Sequence, residues 1–171
     1  GAGTSQLCVA LQYDDGTYGL ENYGAGYYAN TTLNTGTTPD EVGNYVTFPF
    51  PFRACGFWVF GDFDYDVNLS LMLGADDTVL ANCKLEADYR FGTSPARTPV
   101  YFDADPAYTV NIASNTYYRI IISPVGADST NPRYFDVPEA DAMQVFHLGA
   151  SCISTSRTDG GAWAQVTTRR Y

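Results

Sequence analysis

Apolar and polar residues alternate over short segments of this chain, which is the period of a β-strand with one buried face. The most aromatic segment is residues 45–61, with the sequence YVTFPFPFRACGFWVFG. One side of its first part carries Val46, Phe48, Phe50, Phe52 and Ala54. From Gly56 onward the segment is apolar on both sides, as in a central strand. Pro49 and Pro51 cannot donate ladder hydrogen bonds, so we expect the Phe-Pro part at a sheet edge, a bulge or a crossing between sheets.

Further strand patterns recur about every 10 to 15 residues, with turn signals between them. The predicted strands cover residues 7–11, 67–73, 78–85, 100–102, 108–112, 116–123, 133–137, 142–148 and 162–168. A helix is favoured only at residues 138–143, as a single turn with Pro138 near its first position. The spacing predicts an all-β fold, an antiparallel two-sheet β-sandwich of jelly-roll-like form.

The chain of 171 residues is long enough for one domain with a real core, and we expect a single domain over residues 1–171. Residues 17–44 are rich in glycine, asparagine, threonine and tyrosine. We interpret them as a long decorated loop with one or two weak strands. Residues 1–44 would then form a strand plus this loop, and residues 45–171 the core of the sandwich. The chain begins at Gly1 without a methionine, and we expect a processed piece of a longer polypeptide.

Composition supports the β-rich prediction and reduces the number of partner classes to consider. Hydrophobic residues make up 45% of the chain and aromatic residues 15%, while charged residues account for only 16%. The formal net charge of −10 repels phosphate backbones, so nucleic acid is not an expected partner. No apolar run approaches the ~20 residues of a membrane span, and we expect no membrane contact and no signal peptide.

The four cysteines, Cys8, Cys55, Cys83 and Cys152, are sparse and match no metal motif by their spacing. Cys55 fits a small core residue. Pairing of Cys8 with Cys152, or of Cys55 with Cys83, stays open, because the redox compartment is not known.

Three carboxylates stand at alternate positions in Asp62, Asp64 and Asp66. On a strand they would share one face within ~7 Å of each other, where like charges destabilise unless a cation or an arginine intervenes. A structural Ca²⁺ site is therefore one hypothesis, although the positions that follow do not match an EF-hand loop. The alternative is a solvated strand edge.

Residues suited to catalysis are few. His147 is the single histidine and lies in an apolar run, which is typical of a packed structural histidine. No nucleophile elbow, Cys-x-x-Cys, His-Glu-x-x-His or phosphate loop occurs. We therefore expect no enzymatic activity.

Aromatic residues among polar groups give a second binding hypothesis, because sugars stack on aromatic rings while Asp, Asn and Arg bind their hydroxyls. The candidates for contact with a carbohydrate or a neighbouring subunit are Tyr23, Tyr27, Tyr28 and Trp163. Trp58 lies in a strand pattern that predicts burial. The loop tyrosines could equally brace a glycine-rich segment.

The order of several short motifs resembles a known class of modules. Residues 53–58 (RACGFW), the leucine strand 67–73, residues 100–102 (VYF) and residues 115–122 (NTYYRIII) are similar to accessory β-sandwich modules with a carbohydrate-binding-module-like jelly roll. The ending, residues 157–170, looks like segments of environmental tailed-phage virion proteins. The resemblance covers residues 45–171 and implies a fold and a virion or extracellular setting, with no catalytic residue.

These observations favour a non-enzymatic structural protein of an extracellular particle, most simply a phage virion component of the capsid-decoration or tail/fibre type. It would contact copies of itself or other virion or surface subunits through tyrosine- and glycine-rich loops, which give contact area at low side-chain entropy cost. The alternative is a carbohydrate-binding adhesion module that uses exposed aromatic residues.

Overall fold

In a computed structural model of the protein, the described part of the chain consists mostly of β-strands. The structure describes residues 9–14, 27–33, 40–60, 66–86, 97–125, 135–141, 151–166 and 169–170. The strands are β1 (Val9–Tyr13), β2 (Tyr27–Leu33), β3 (Glu41–Thr47), β4 (Phe52–Phe60), β5 (Val67–Leu73), β6 (Val79–Leu85), β7 (Arg97–Tyr101), β8 (Val110–Ile112), β9 (Tyr118–Pro124), β10 (Phe135–Asp141), β11 (Ser151–Arg157), β12 (Ala164–Val166) and β13 (Arg169–Arg170). A single 3-10 turn, Phe102–Ala104, separates β7 from β8. In these ranges no helix is long and apolar enough to cross a membrane.

Two antiparallel sheets form the sandwich, which confirms the predicted fold class. One has six strands in the order β12-β11-β3-β9-β5-β6, and the other has the order β1-β4-β7. Strand β8 also pairs with β4, beyond the end of β7. A further sheet, β13-β10-β2, has three strands. The jelly-roll connectivity stays a prediction.

The core lies between the two larger sheets because alternate residues of each strand face inward. The four-stranded sheet contributes Leu11, Ala54, Phe57, Val59, Val100 and Ile112. The six-stranded sheet contributes Val42, Val46, Val67, Leu69, Leu71, Ile120 and Ile122. All of these side chains are at most 9% exposed. Most of the apolar residues that the alternation places inward in residues 46–54 and 67–73 therefore build this core. The exception is Phe50, which lies between β3 and β4 and is 36% exposed.

The aromatic segment that begins at Tyr45 is divided between the two sheets. Strand β3 lies between β11 and β9 in the six-stranded sheet, and β4 is the central strand of the four-stranded sheet. Residues 48–51, with both prolines, connect them without strand structure. Of the three expectations for the Phe-Pro part, the crossing between sheets is the one found, since proline removes a ladder donor where the chain leaves a sheet.

The region before residue 45 contributes more structure than a decorated loop would. Strand β3 begins at Glu41, ahead of the expected start of the sandwich core, and its Val42 is buried. Strand β1 pairs along the length of β4, and its Leu11 is in the core. Strand β1 corresponds to the strand predicted at residues 7–11. The start of β3 falls within the segment interpreted as a loop, where the preceding glycine- and threonine-rich sequence weakens the periodic signal.

One local expectation is wrong, one of the cysteine pairings left open is excluded, and the expected burial of Trp58 needs adjustment. The helical turn expected at residues 138–143 is not formed, because strand β10 continues through Pro138 to Asp141 and pairs with β2. Pairing partners across a sheet outweighed the weak helical propensity of Glu and Ala there. The thiol of Cys83 is free, so the Cys55–Cys83 disulfide does not exist. Trp58, expected in the core, is half-buried.

Cys55 instead donates a hydrogen bond from its thiol to the carbonyl oxygen of Tyr13, at 3.4 Å. Cys152 is buried in the core, while Cys8, its candidate partner, lies outside the described residues. His147 and the strand expected at residues 142–148 also lie outside them.

Candidate functional site

Of the four aromatic residues expected to contact a sugar or a neighbouring subunit, the structure describes the side chain of Trp163. Tyr27 and Tyr28 begin strand β2, where only the backbone is described. Tyr23 lies outside the described residues. The roles of these three tyrosines therefore stay predictions.

Trp163 lies against two arginines on the outer face of the six-stranded sheet. The Cζ atom of Arg157 is 4.3 Å from the centre of the indole ring, and that of Arg119 is 4.7 Å from it. At these distances each guanidinium is attracted by the electrons of the ring. Both arginines face away from the core, because they alternate with the inward residues of β11 and β9.

Two carboxylates neutralise this pair of arginines. Asp77 accepts hydrogen bonds from Arg119 Nη1 at 2.7 Å and from Trp163 Nε1 at 2.9 Å, one on each oxygen. Its Oδ2 also lies 3.6 Å from Arg157 Nη1. Glu41 accepts two hydrogen bonds from Arg157, at 2.9 and 3.1 Å. We call Glu41, Asp77, Arg119, Arg157 and Trp163 the tryptophan clasp.

The clasp fastens the segment after β11 to the sheet. Its members come from β3, β9, β11 and the hairpin turn between β5 and β6, so one indole ring connects parts of the chain far apart in sequence. The Arg119 side chain is only 7% exposed, and it also donates to the carbonyl oxygen of Gly74 at 2.9 Å. Because two guanidinium groups already occupy the indole, Trp163 offers a sugar little ring surface.

A stack of rings continues from the clasp to the surface. The guanidinium of Arg119 lies 4.8 Å from the centre of the Tyr45 ring. That ring is stacked on Tyr117, with centroids 4.5 Å apart and planes 4° from parallel. Tyr117 is 46% exposed, so the stack ends at solvent.

Tyr117 belongs to one end of the sandwich where three connections meet. The crossing at residues 48–51 is joined to the turn before β9 by the Asn115 N–H, which donates to the Phe48 carbonyl at 2.7 Å. The hairpin turn after β5 is joined to the same turn before β9 by the Gly74 N–H, which donates to the Tyr117 carbonyl at 2.8 Å. We call residues 48–51, 74–77 and 113–117 the turn end.

The turn end presents apolar side chains on a braced backbone. Phe50 is 36% exposed, and its ring packs on Phe48 and Phe52 at centroid distances of 6.3 and 5.9 Å. Phe48 below it is 1% exposed. Pro49 and Pro51 are exposed and restrict the chain between them. Phe50 and Tyr117 are therefore held in place before any partner arrives.

The candidate calcium ligands are described only at Asp66, because Asp62 and Asp64 lie outside the described residues. Asp66 forms an ion pair with Lys84 at 2.9 Å, and this hydrogen bond raises the pKa of Lys84. Within the described ranges no group of three or more His, Cys, Asp or Glu side chains is placed to hold a metal ion. The calcium hypothesis stays a prediction.

A pocket lies on the flank of the sandwich, where the two sheets end beside each other. Strand β6 is the last strand of the six-stranded sheet, and β7 is at the edge of the four-stranded sheet. The pocket has a volume of about 500 Å³. Among the described residues, those that line it, which we call the flank pocket, are Cys83, Lys84, Glu86, Pro99, Val100, Tyr101, Asp103 and Ala104.

Strained backbone forms one wall of the flank pocket. Asp103 and Ala104 have φ values of 50° and 56°, in the left-handed region that residues other than glycine rarely adopt. Phe102 holds this turn in place, since its buried ring packs edge to face on Phe57 at 5.1 Å. Strain of this kind persists only where the surroundings enforce it, and it is common at binding sites.

The thiol of Cys83, at the floor of the flank pocket, stays protonated to high pH. Burial and the negative charge of Asp103 raise its pKa to about 12. The pKa in the folded chain thus lies above the ordinary value of 9.0. Below pH 9 the thiol is protonated in both the folded and the unfolded chain, and its full contribution to the free energy of unfolding is present. Between pH 9 and 12 only the unfolded chain releases the proton, so this contribution is lost as the pH rises.

We therefore expect urea denaturation to show a larger loss of stability between pH 8 and pH 10 in the wild type than in Cys83→Ser. The difference should be on the order of 1 kcal/mol at pH 10, since one unit of pKa shift corresponds to about 1.4 kcal/mol. Comparison with the serine variant removes every contribution to the pH dependence that the two proteins share. Parallel loss of stability in the two proteins would contradict the raised pKa.

Sequence reasoning identified Trp163 but not its partners. The sequence marks Asp77 only as a turn residue and Arg119 only as a polar position in an apolar strand. The flank pocket has no sequence signal, because its residues come from two separate stretches of the chain, 83–86 and 99–104. A usable signal was the presence of Arg119 among isoleucines, since an arginine in a buried strand requires a carboxylate or ring partner.

No protein-family model matches the chain, and neither the comparison with curated proteins nor that with solved structures found a match. The resemblance to phage virion modules therefore stays a prediction, and the function is argued from the surfaces described above.

Proposed function

We propose that this chain is a non-enzymatic structural protein of an extracellular assembly, a phage virion component of the capsid-decoration or tail/fibre type, which acts through contacts between subunits. The observation that carries the proposal is the turn end, where Phe50 and Tyr117 are exposed on a backbone braced by hydrogen bonds between three connections. Aromatic side chains that are held before binding lose little entropy in an interface. The partners are other copies of the chain or other surface subunits.

The charge of the chain is consistent with such a role. A net charge of −10 keeps particles that carry many copies apart from one another in solution. Within the turn end, positions 48–51 are Phe-Pro-Phe-Pro and carry no charge, whereas the hairpin turn contributes the carboxylates of Asp76 and Asp77. The Phe-Pro part is therefore the part of the turn end where like charges oppose association least.

The test is the oligomeric state of the full chain, measured by native mass spectrometry and light scattering over a range of concentrations. We expect multimers in the wild type and an association at least about tenfold weaker in the double variant Phe50→Ser/Tyr117→Ser, because aromatic anchors dominate the energy of an interface. The matched control is Tyr108→Ser/Val166→Ser, which removes exposed apolar side chains that belong neither to the turn end nor to the flank pocket. A wild type that stays monomeric, or an equal loss in the control, would refute the proposal.

A further inference from the structure

The flank pocket combines an apolar floor with an excess of negative charge. Val100 and Cys83 at its floor are 9% and 7% exposed. Lys84 forms an ion pair with Asp66 at 2.9 Å and also interacts with the charge of Glu86. Among the described residues at this place, the three carboxylates of Asp66, Glu86 and Asp103 therefore outnumber the single cation. Glu86 and Asp103 are both exposed, and Tyr101 at the rim is 36% exposed.

We propose that the flank pocket is a docking site for an arginine side chain of a partner protein. The site is separate from the turn end, and this proposal does not rest on the one above. An arginine has an apolar stem that fits the floor formed by Val100 and Pro99, and a planar cation that suits the carboxylates at the rim. The volume of about 500 Å³ holds that side chain together with part of a neighbouring residue.

Three observations favour an arginine over a neutral or anionic ligand. First, the carboxylates of Glu86 and Asp103 provide hydrogen-bond acceptors that a guanidinium can bind with two donors. Second, the exposed ring of Tyr101 is available for a cation–π contact. Third, Asp103 contributes to the raised pKa of Cys83, so its negative charge acts at the floor of the pocket.

The position of the pocket suits a polypeptide ligand. It lies between β6 and β7, which contact each other and are edge strands of their sheets within the described part of the chain. A chain that runs along these strands can insert one side chain between the sheets, as partners do when they bind at sheet edges. The overall charge of −10 attracts basic segments over longer distances.

The strained turn explains how the carboxylate of Asp103 is presented. Asp103 and Ala104 adopt left-handed backbone angles directly after buried Phe102, while Asp105 caps the following turn through the Ala107 N–H at 2.9 Å. This geometry places Asp103 in the wall of the pocket, where it is one of the lining residues. An asparagine tolerates the same backbone angles, so Asp103→Asn removes the charge without new strain.

The experiment uses the full chain, labelled with ¹⁵N, and the peptide acetyl-Gly-Val-Arg-Val-Gly-amide as the probe, in buffer of low ionic strength. We expect saturable chemical-shift changes confined to the residues of the flank pocket, with a Kd of about 0.1 to 1 mM, as one charged side chain and a short segment allow. The same peptide with citrulline in place of arginine should bind at least about tenfold more weakly, because citrulline keeps the shape and loses the charge.

The test variant is Glu86→Gln/Asp103→Asn, which we expect to weaken binding of the arginine peptide at least about tenfold. The matched control is Asp14→Asn/Asp76→Asn, which lowers the total charge equally but alters exposed carboxylates outside the pocket and should bind like the wild type. The turn-end variant Phe50→Ser/Tyr117→Ser should also bind the peptide normally, which separates this proposal from the proposed function.

Three outcomes would overturn the assignment. The first is the absence of binding at peptide concentrations up to about 10 mM, well above the expected Kd. The second is equal binding of the arginine and citrulline peptides. The third is self-association of the chain that is lost in Glu86→Gln/Asp103→Asn, which would assign the flank to a second copy instead of a basic partner.

Discussion

Replacing Gly56 with alanine should destabilise the fold severely. Gly56 lies in β4 between Gln12 of β1 and Tyr101 of β7, so backbone closes around it on both sides. A Cβ atom at this position would overlap the carbonyl oxygen of Val100 and lie 2.9 Å from the Cα of Tyr101. These atoms belong to a paired strand and cannot move away as the end of a side chain could.

Gly43 has the same role in the six-stranded sheet. It lies in β3 between Thr155 of β11 and Ile121 of β9. A Cβ atom there would overlap the carbonyl oxygen of Ile120 and lie 2.8 Å from its carbonyl carbon. We expect Gly43→Ala and Gly56→Ala each to cost about 3 kcal/mol or more, a large part of the 5 to 15 kcal/mol that stabilises a typical domain.

The measurement is urea denaturation followed by circular dichroism, with soluble yield as a second readout if a variant does not fold. The control is Gly161→Ala, in the exposed segment after β11, where an added Cβ would meet only the Thr158 carbonyl oxygen at 3.1 Å. We expect that variant to stay close to the wild type. Near-wild-type stability of Gly56→Ala would show that β4 and β7 separate more easily than their pairing indicates.

Asp77→Asn should produce the second large effect, through the tryptophan clasp. The two oxygens of Asp77 accept from Arg119 and Trp163 at 2.7 and 2.9 Å. An asparagine has a single acceptor oxygen and can serve only one of these donors. The charge of Arg119, whose side chain is 7% exposed, would lose its carboxylate partner. We expect a loss of about 2 to 4 kcal/mol, as for other buried charges that lose a partner.

Asparagine is the right replacement because it tolerates the φ of 61° at this position, so that the loss reports on charge and hydrogen bonding. The matched control is Asp76→Asn in the same turn. Asp76 is exposed, and its carboxylate accepts from the Thr78 N–H at 3.0 Å, which an asparagine oxygen can also do. We expect this control to keep near-wild-type stability.

A second variant separates charge from packing in the clasp. In Asp77→Asn/Arg119→Met no buried cation remains, and part of the lost stability should return, because a buried ion pair can often be replaced by apolar side chains. Equal unfolding free energies for the wild type and Asp77→Asn would mean that the clasp contributes nothing to the fold.

Residues 45–61 illustrate how far the sequence leads. Their alternation correctly predicts that Val46, Phe48 and Ala54 are buried, because period-two burial is a local property of an extended chain. The two prolines limit the Phe-Pro part to three alternatives. Which alternative occurs depends on the partners of β3 and β4, and these partners are β9, β11, β1 and β7. Pairing over such sequence separations leaves no local signal.

The candidate sites divide in a similar way. Trp163 stands out in the sequence because it lies among polar residues. A tryptophan that binds a ligand and a tryptophan held by its own chain, as in the tryptophan clasp, give the same local sequence pattern. Only the tertiary structure decided that Arg119 and Arg157 lie on its ring and that Asp77 joins all three. The helical turn expected at residues 138–143 was lost for a related reason, since its propensity is weak and pairing with β2 prevails.

By itself, then, the sequence determined the class of structure: an all-β chain with a sandwich core, strong turns and an acidic surface, because hydrophobic period, turn residues and charge are properties of short segments. The tertiary structure decided where the surfaces lie. Each of the three surfaces, the turn end, the tryptophan clasp and the flank pocket, joins residues from separate parts of the chain. Their chemistry depends on contacts of a few ångströms between segments that are up to 116 positions apart in sequence, as between Glu41 and Arg157. Such distances follow from strand order and register, which a periodic pattern leaves open.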